Sequence, residues 1–250
     1  MRAASSEASG SQFSDTLIDM LDRVHYRRVD LHDALDPVYR LRYEAYRREE
    51  FIPVNSQQVA GDLFDEAPNA MCYGVYVDDQ LVSSIRLHHV TPTMRQSPSR
   101  SIYPEELDAL LDAGRSYIDP SRFTADREAT LALPALPFLT LRVAVMASIH
   151  FDVDHCLSSV RLEHAAFYKR VFMSRQLGGE RYYPGLHFPV VMFVADVPQI
   201  RERVFRRYPF FMSTPEEREA VFGRGPAVPM VRPSARIAMR MEEPERLSAA

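Results

Sequence analysis

Asp119 and Arg122 stand three residues apart in Tyr117-Ile118-Asp119-Pro120-Ser121-Arg122-Phe123, where strand-forming residues surround a proline. A proline removes one donor from a sheet ladder, so such a strand belongs at an edge or a bulge. In an unbroken strand the two charged side chains project to opposite faces. A bulge adds one residue, brings both to one side and turns backbone groups toward whatever lies there. A carboxylate kept ionised beside a guanidinium is an acceptor or, through water, a base. Taken alone, the pair reads better as a structural ion pair.

More charge falls on apolar stripes elsewhere. Arg42 lies four residues before Tyr46, in line with Val38, Leu41 and Ala45, so it points toward a core or a cleft. A guanidinium there needs acceptors. Gly61-Asp62-Leu63-Phe64-Asp65 supplies two carboxylates at i, i+3, with Phe64 as an anchor. Arg86 shares a strand face with Ser84 and His88, opposite Ile85 and Leu87. Arg42, Asp62, Asp65 and Arg86 together would make a charge-balanced network, although the loop acids also read as a solvated turn and Arg86 as a surface residue. His88 and His89 point to opposite faces and cannot chelate one metal as neighbours.

The elements that must position these residues follow from periodicity. Thr16 to Val24 suggests a helix and Tyr26 to Val29 a short strand. Asp36 is a good N-cap with Pro37 at the first helical position, opening an amphipathic helix to about Glu50. Met71–Val77 and Leu81–His88 read as a hairpin. Pro104–Leu111 predicts a helix, Tyr117–Thr124 the proline-interrupted strand, and Pro137–Phe151 a strongly apolar helix. Strand His155–Val160, helix Glu163–Met173 and strand Val190–Asp196 come next, then helices Pro198–Arg207 and Pro215–Val221. Gly178-Gly179 reads as a helix stop, and Tyr182-Tyr183-Pro184-Gly185 as a turn at the lip of a pocket. Strand pairs followed by α/β alternation predict an α/β domain around one mixed sheet.

The expected domain spans 15–225, with a disordered tail over 1–14 and a flexible C-terminal tail over 226–250. The composition, 46% hydrophobic, 26% charged and 10% aromatic, excludes collagen-like, coiled-coil and wholly disordered chains. With 30 Lys+Arg against 34 Asp+Glu and a net charge of −4, no nucleic-acid footprint is expected. Lys169 is the only lysine; codon bias accounts for much of that skew, and bidentate or buried arginines are the physical alternative. Cys72 and Cys156 suggest neither zinc nor disulfide. No apolar run approaches a membrane span, and a cytoplasmic location is expected.

Taken in order from Tyr39 to Asp196, the motifs resemble the autoinducer synthase superfamily and, more closely, the N-acyl amino acid synthases. Tyr39-Arg40-Leu41-Arg42-Tyr43-Glu44-Ala45-Tyr46 looks like that family's Arg-x-x-x-aromatic helix. Asp62 with Asp65, Ser84-Ile85-Arg86-Leu87, and Asp119 with Arg122 follow in the same order. Glu163 to Arg170 and Arg181 to Gly185 look like the helix and loop particular to the amino acid synthases. Asp119 stands where these synthases usually carry Glu, Phe51 or Ile52 where lactone synthases carry Trp, and Val171-Phe172-Met173 where relatives often have Gly, a change expected to affect packing only.

The resemblance implies a GNAT-like acyltransferase fold, a mixed central sheet splayed between strands 4 and 5 with helices on both faces. It implies transfer of a long-chain acyl group from acyl carrier protein to the α-amine of an amino acid. Asp119 is then the base or water-orienting acid with Arg122 as its partner, while Arg42, Tyr46, Asp62, Asp65 and Arg86 shape the substrate pocket. A shorter acid sits about 1.5 Å further from its target, so a bridging water is expected. The pyrophosphate loop of coenzyme A-dependent relatives is replaced by Ala132-Leu133-Pro134-Ala135-Leu136-Pro137. No tightly bound cofactor and no metal are expected, the donor being an acyl-phosphopantetheine thioester on a carrier protein that meets Arg127, Lys169, Arg170 and Arg175. The alternatives are an acyl-homoserine-lactone synthase using S-adenosylmethionine and a non-catalytic acyl or carrier-protein binding module.

Overall fold

In the computed structural model, which describes residues 2–30, 33, 36–183, 188–223 and 230–248, one mixed sheet organises the chain. Its strands are β1 (Val24–Arg28), β2 (Ala70–Val77), β3 (Gln80–Val90), β4 (Tyr117–Ala125), β5 (His155–Val160), β6 (Arg175–Tyr182) and β7 (Pro189–Asp196), in the spatial order β1-β2-β3-β4-β5-β7-β6. Around it lie α1 (Arg2–Leu21), α2 (Pro37–Arg48), α3 (Pro104–Asp112), α4 (Arg127–Ala132), α5 (Leu136–His150), α6 (Ala165–Phe172), α7 (Val197–Arg207), α8 (Pro215–Phe222) and α9 (Ala235–Ser248).

Neighbouring strands pair antiparallel except β4 and β5. These run parallel and are joined only at Tyr117↔His155 and Ile118↔Cys156. From Asp119 onward β4 has left β5, so the sheet splays where the resemblance implied. The fold is α/β and GNAT-like, with helices on both faces.

Local chemistry explains the elements. Asp36 caps α2 by accepting from the Val38 amide at 2.9 Å, and Pro37 opens the helix, as expected. Between β2 and β3 the two turn residues, Asp78 and Asp79, both have positive φ, 49° and 64°. That is the hairpin geometry whose twist matches the strands, and Asp tolerates it. On one face of the sheet Tyr73, Val75, Ile85, Leu87 and Ile118 pack with Leu136, Leu139 and Val143 of α5. On the other, Leu107 and Leu111 of α3 meet Val90, Tyr117, Leu157 and Met192, while Val38 and Tyr39 of α2 cover Cys72.

Several local expectations are corrected. Gly178 and Gly179 do not stop a helix but lie in edge strand β6. There Gly178 is required because a Cβ would come within 2.4 Å of the Tyr103 ring. The stop of α6 is Met173, held in the left-handed region at φ 49°. The departure from Gly at this position is therefore a matter of backbone conformation, costing roughly 1–2 kcal/mol, and not of packing alone. The expected N-terminal tail is helical from Arg2. The chain beyond Met230 is not a loose tail either: Val231 bridges to Tyr26, and Ala235 and Ala238 are buried.

That C-terminal segment is tied down by a buried arginine in the apolar helix α5. Arg142 donates to the Phe210 carbonyl at 2.8 Å, the Met212 carbonyl at 2.6 Å and the Glu217 carboxylate. Glu217 in turn accepts from the amide and hydroxyl of Ser234, at 2.9 and 2.6 Å.

Candidate active site

The arginines and aspartates expected to form a network do so. Asp62 caps a 3-10 turn (Leu63–Glu66) in which Asp65 is the third residue, and the two bond reciprocally: the Asp62 carboxylate accepts from the Phe64 amide at 2.9 Å and Asp65 from the Asp62 amide at 2.9 Å. The turn thereby aims both acids at the sheet. Arg42, fully buried on α2, donates to Asp65 at 2.8 Å and to the Cys72 sulfur at 3.0 Å. Arg86, fully buried on β3, donates to Asp62 at 2.5 Å and to the Ser121 hydroxyl at 3.1 Å, and lies 3.1 Å from Asp65. Burial pushes the Asp62 carboxyl up, but Arg86 and Arg122 outweigh it and hold the acid well below the usual carboxylate range. Asp65 is lowered in the same way by Arg42 and Arg86 against its burial. Burial raises the Cys72 thiol, which stays protonated at neutral pH.

The expected bulge is present and falls at Arg122. Arg86 pairs with Ser121 and Ser84 with Thr124, so Arg122 and Phe123 together face the single Ile85. Arg122 takes the left-handed φ of 52°, a conformation costing a bulky residue about 1–2 kcal/mol. The bulge puts Arg122 on the same side of the sheet as Asp119, which faces His88 across the ladder.

Their expected pairing is nevertheless absent. Arg122 donates to Asp62, through Nε at 3.1 Å and through Nη2, and lies 5.2 Å from the Tyr46 ring centroid. Asp119 is fully buried and held by uncharged donors: the Ser97 hydroxyl, the Ser99 amide at 2.9 Å and the Ser99 hydroxyl at 2.7 Å. The bulge explains the division: Asp119, Pro120 and Ser121 keep the regular ladder with His88, Leu87 and Arg86 of β3, and only beyond Ser121 does the strand swing toward α2. His88 donates from Nε2 to the Phe64 carbonyl at 2.9 Å, and burial, followed by the Arg86 charge, lowers its pKa. It is neutral at pH 7 and gives Asp119 no cation.

A cavity of about 630 Å³ runs through the splay between β4 and β5, a size suited to a small-molecule ligand. Its apolar end is walled by Leu141, Ala144 and Val145 of α5, Phe167 and Tyr168 of α6, and Phe205 of α7. The opposite end presents Tyr46, Glu49, Ser99, Ser121, Arg122 and Ser159 beneath the rings of Phe51, Tyr183 and Phe188. Phe51 takes the rim position, its ring centroid 4.5 Å from that of Phe188 at a 55° tilt, whereas Ile52 is not on the wall. Asp119 is not on the wall either; Ser99 stands between it and the cavity. Burial pushes the Cys156 thiol, on the wall, up to about 12, so it is no nucleophile near neutrality. Among the described residues no group of three or more His, Cys, Asp or Glu is arranged to hold a metal ion. Arg127, Lys169, Arg170 and Arg175 are all exposed; Pro184 and Gly185 of the expected lip lie outside the described residues.

Sequence reasoning missed Ser97, Ser99 and Ser159. Two hydroxyls flanking Pro98 are a faint signal for a turn that bonds a carboxylate, and nothing in the sequence says which.

A cavity in the gap of a splayed sheet, with the bulge at its polar end and Asp119 buried behind Ser99, is the site of a GNAT-like fold. The solved structure of FeeM, an N-acyl amino acid synthase from uncultured soil microbes, superposes with a TM-score of 0.60 at 20% identity, covering 76% of this chain and 99% of that one. The coenzyme A-dependent acyl-homoserine lactone synthase BjaI, with S-adenosylmethionine and isopentyl-CoA, gives 0.55 at 14% identity, covering 74% and 89%. The acyl-homoserine lactone synthase LasI gives 0.51 at 16%, covering 68% and 88%. These likenesses are of fold. No curated protein matches the chain. The family model of N-acyl amino acid synthase FeeM matches residues 37–196, and the chain belongs to that family. It is an N-acyltransferase, and among its described residues no helix is long and apolar enough to cross a membrane.

Proposed function

We propose that the protein transfers a long-chain acyl group from acyl carrier protein to the α-amine of an amino acid. The observation that carries this reading is the cavity itself: an apolar end for a hydrocarbon chain, a gap between β4 and β5 for the thioester, and a polar mouth beside Asp119 and the bulge. A protein-borne donor is supported at the start of α5. Pro137 lies in the first turn and removes a backbone donor from the helix end that a pyrophosphate would use. Lys169, Arg170 and Arg175 offer cations to an acidic carrier.

The chemistry runs by direct transfer. The α-ammonium loses a proton toward Asp119, and the amine lone pair attacks the thioester carbonyl. The C–N bond forms, the C–S bond breaks, and the second amine proton leaves with the thiolate as free thiol. Amides freed from the ladder at Arg122 and Phe123 are donors for the developing oxyanion. Protonation of Asp119 leaves three guanidinium groups, Arg42, Arg86 and Arg122, against Asp62 and Asp65, a balance that favours negative charge at the carbonyl.

Incubation with long-chain acyl carrier protein and a mixture of the amino acids, followed by lipid mass spectrometry, tests this. N-acyl amino acids are expected. An intact thioester at every chain length overturns the reading, and so does lactone formed only with S-adenosylmethionine. Asp119→Asn should keep the fold and cut turnover at least ~10-fold, a floor set below the ~10²–10⁴-fold usual for general-base catalysis; unchanged turnover removes Asp119 from the mechanism.

A further inference from the structure

Asp119 is cut off from the cavity in which its proton must originate. What lies between is a pair of hydroxyls. The Ser99 Oγ is 2.7 Å from Asp119 Oδ1 and 2.9 Å from the Ser159 Oγ, and both serines are on the cavity wall. Ser99 comes from the 3-10 turn (Ser99–Ser101) before α3, whereas Ser159 comes from β5 beyond its last pairing with β4. The link therefore crosses the splay.

A serine hydroxyl carries one proton. That of Ser99 is committed to the carboxylate, so in the contact between the two hydroxyls Ser159 is the donor. The lone pairs of Ser159 are left to accept a third hydrogen bond from the cavity side. At the other end the Ser97 hydroxyl and the Ser99 amide both fix Oδ2, which leaves Oδ1 as the terminus of the chain.

We infer that Ser159 and Ser99 form a hydroxyl relay that carries the amine proton from the cavity to Asp119. This deepens the synthase reading and rests on it. As the ammonium N–H proton passes to Ser159 Oγ, the Ser159 proton moves to Ser99 Oγ and the Ser99 proton to Asp119 Oδ1. Each hydroxyl ends with one proton, the carboxylate gains one, and the nitrogen keeps the electron pair it needs for attack. Ser159 touches the substrate. Ser99 is a positioning residue that acts through its neighbours.

The test uses the full chain with a long-chain acyl carrier protein donor and the amino acid that the unmodified enzyme uses best. Ser99→Ala and Ser159→Ala should each lower kcat at least ~10-fold, the loss of a proton-transfer path, with KM for the donor little changed. Ser99→Ala should also move the acidic limb of the kcat–pH profile, and Ser99→Thr, which keeps the hydroxyl, should restore most of the rate. If the enzyme turns over and both alanine variants keep full kcat with an unmoved profile, the relay is wrong and the synthase reading stands. If Ser99→Thr is as impaired as Ser99→Ala, the serine is structural and the relay also falls. If the unmodified enzyme forms no N-acyl amino acid, both readings fall together.

Discussion

Arg122 reaches Asp62 on a distant turn, not Asp119 three residues before it in its own strand. Asp62 and Asp119 are thereby given different surroundings. Asp62 is shared between two guanidinium groups, whereas Asp119 is held by two hydroxyls and one amide.

Asp62 is the keystone of the ionic cluster. Asp62→Asn removes one of the two carboxylates beside the fully buried Arg86 and the carboxylate partner of Arg122, leaving Asp65 shared between Arg42 and Arg86. Loss of one partner of a buried pair costs ~3–5 kcal/mol, and the partial exposure of Asp62 reduces this to about 2–4 kcal/mol. Denaturant titration at neutral pH checks the figure; a loss below about 0.5 kcal/mol, the level of ordinary surface substitutions, would show that the cluster adds little.

The same acids set an acid limit to stability. Both are lowered in the folded protein, so between the unfolded value of ~4 and the folded values the unfolded chain binds more protons. Their contribution is complete above the unfolded pKa and disappears as pH falls through the folded values. Unfolding free energy should decline from about pH 5 downward, and the double variant Asp62→Asn, Asp65→Asn should show a flatter decline. Parallel pH curves for the two proteins would contradict the assignment.

Val145 lies on the apolar wall of the cavity. Val145→Phe should shorten the preferred acyl chain by several carbons while changing stability by less than ~3 kcal/mol, the usual ceiling for overpacking. Competition between donors of different length, read by mass spectrometry, measures the shift. An unchanged preference would mean that the acyl chain lies elsewhere.

Arg142→Ala should destabilise by about 3–5 kcal/mol, because Glu217 is left buried without its cation. Arg142→Lys should recover little, since one ammonium cannot reach two carbonyls and a carboxylate together. Hydrogen exchange at Val231 and Tyr26, whose amides bond each other's carbonyls, should accelerate in both variants. Retained protection would show that the C-terminal segment is held by other contacts.

The ionic cluster was legible because a stripe and an alternating strand assign faces directly: Arg42 could only point inward from α2, and Arg86 had to share a face with His88. Pro120 announced the bulge. The partner of Arg122 was not legible, because spacing along one strand says nothing about a turn sixty residues away that folds over the same face. Arg142 was hidden inside a helix that reads as uniformly apolar; its acceptors are carbonyls and one acid from segments that meet only in three dimensions. Strand β6 was obscured by its glycines; at Gly178 the missing side chain serves a close approach to Tyr103 and not a turn.

The narrow join between β4 and β5 also bears on the order of assembly. Strands β1 to β4 form one block of consecutive antiparallel pairs, and β5, β7 and β6 form a second. The β2–β3 hairpin closes across two residues and forms early, whereas the parallel pairing of β4 with β5 waits for its connecting helix. The cleft is therefore a seam between two antiparallel blocks, closed by a single short parallel join at Tyr117 and Ile118.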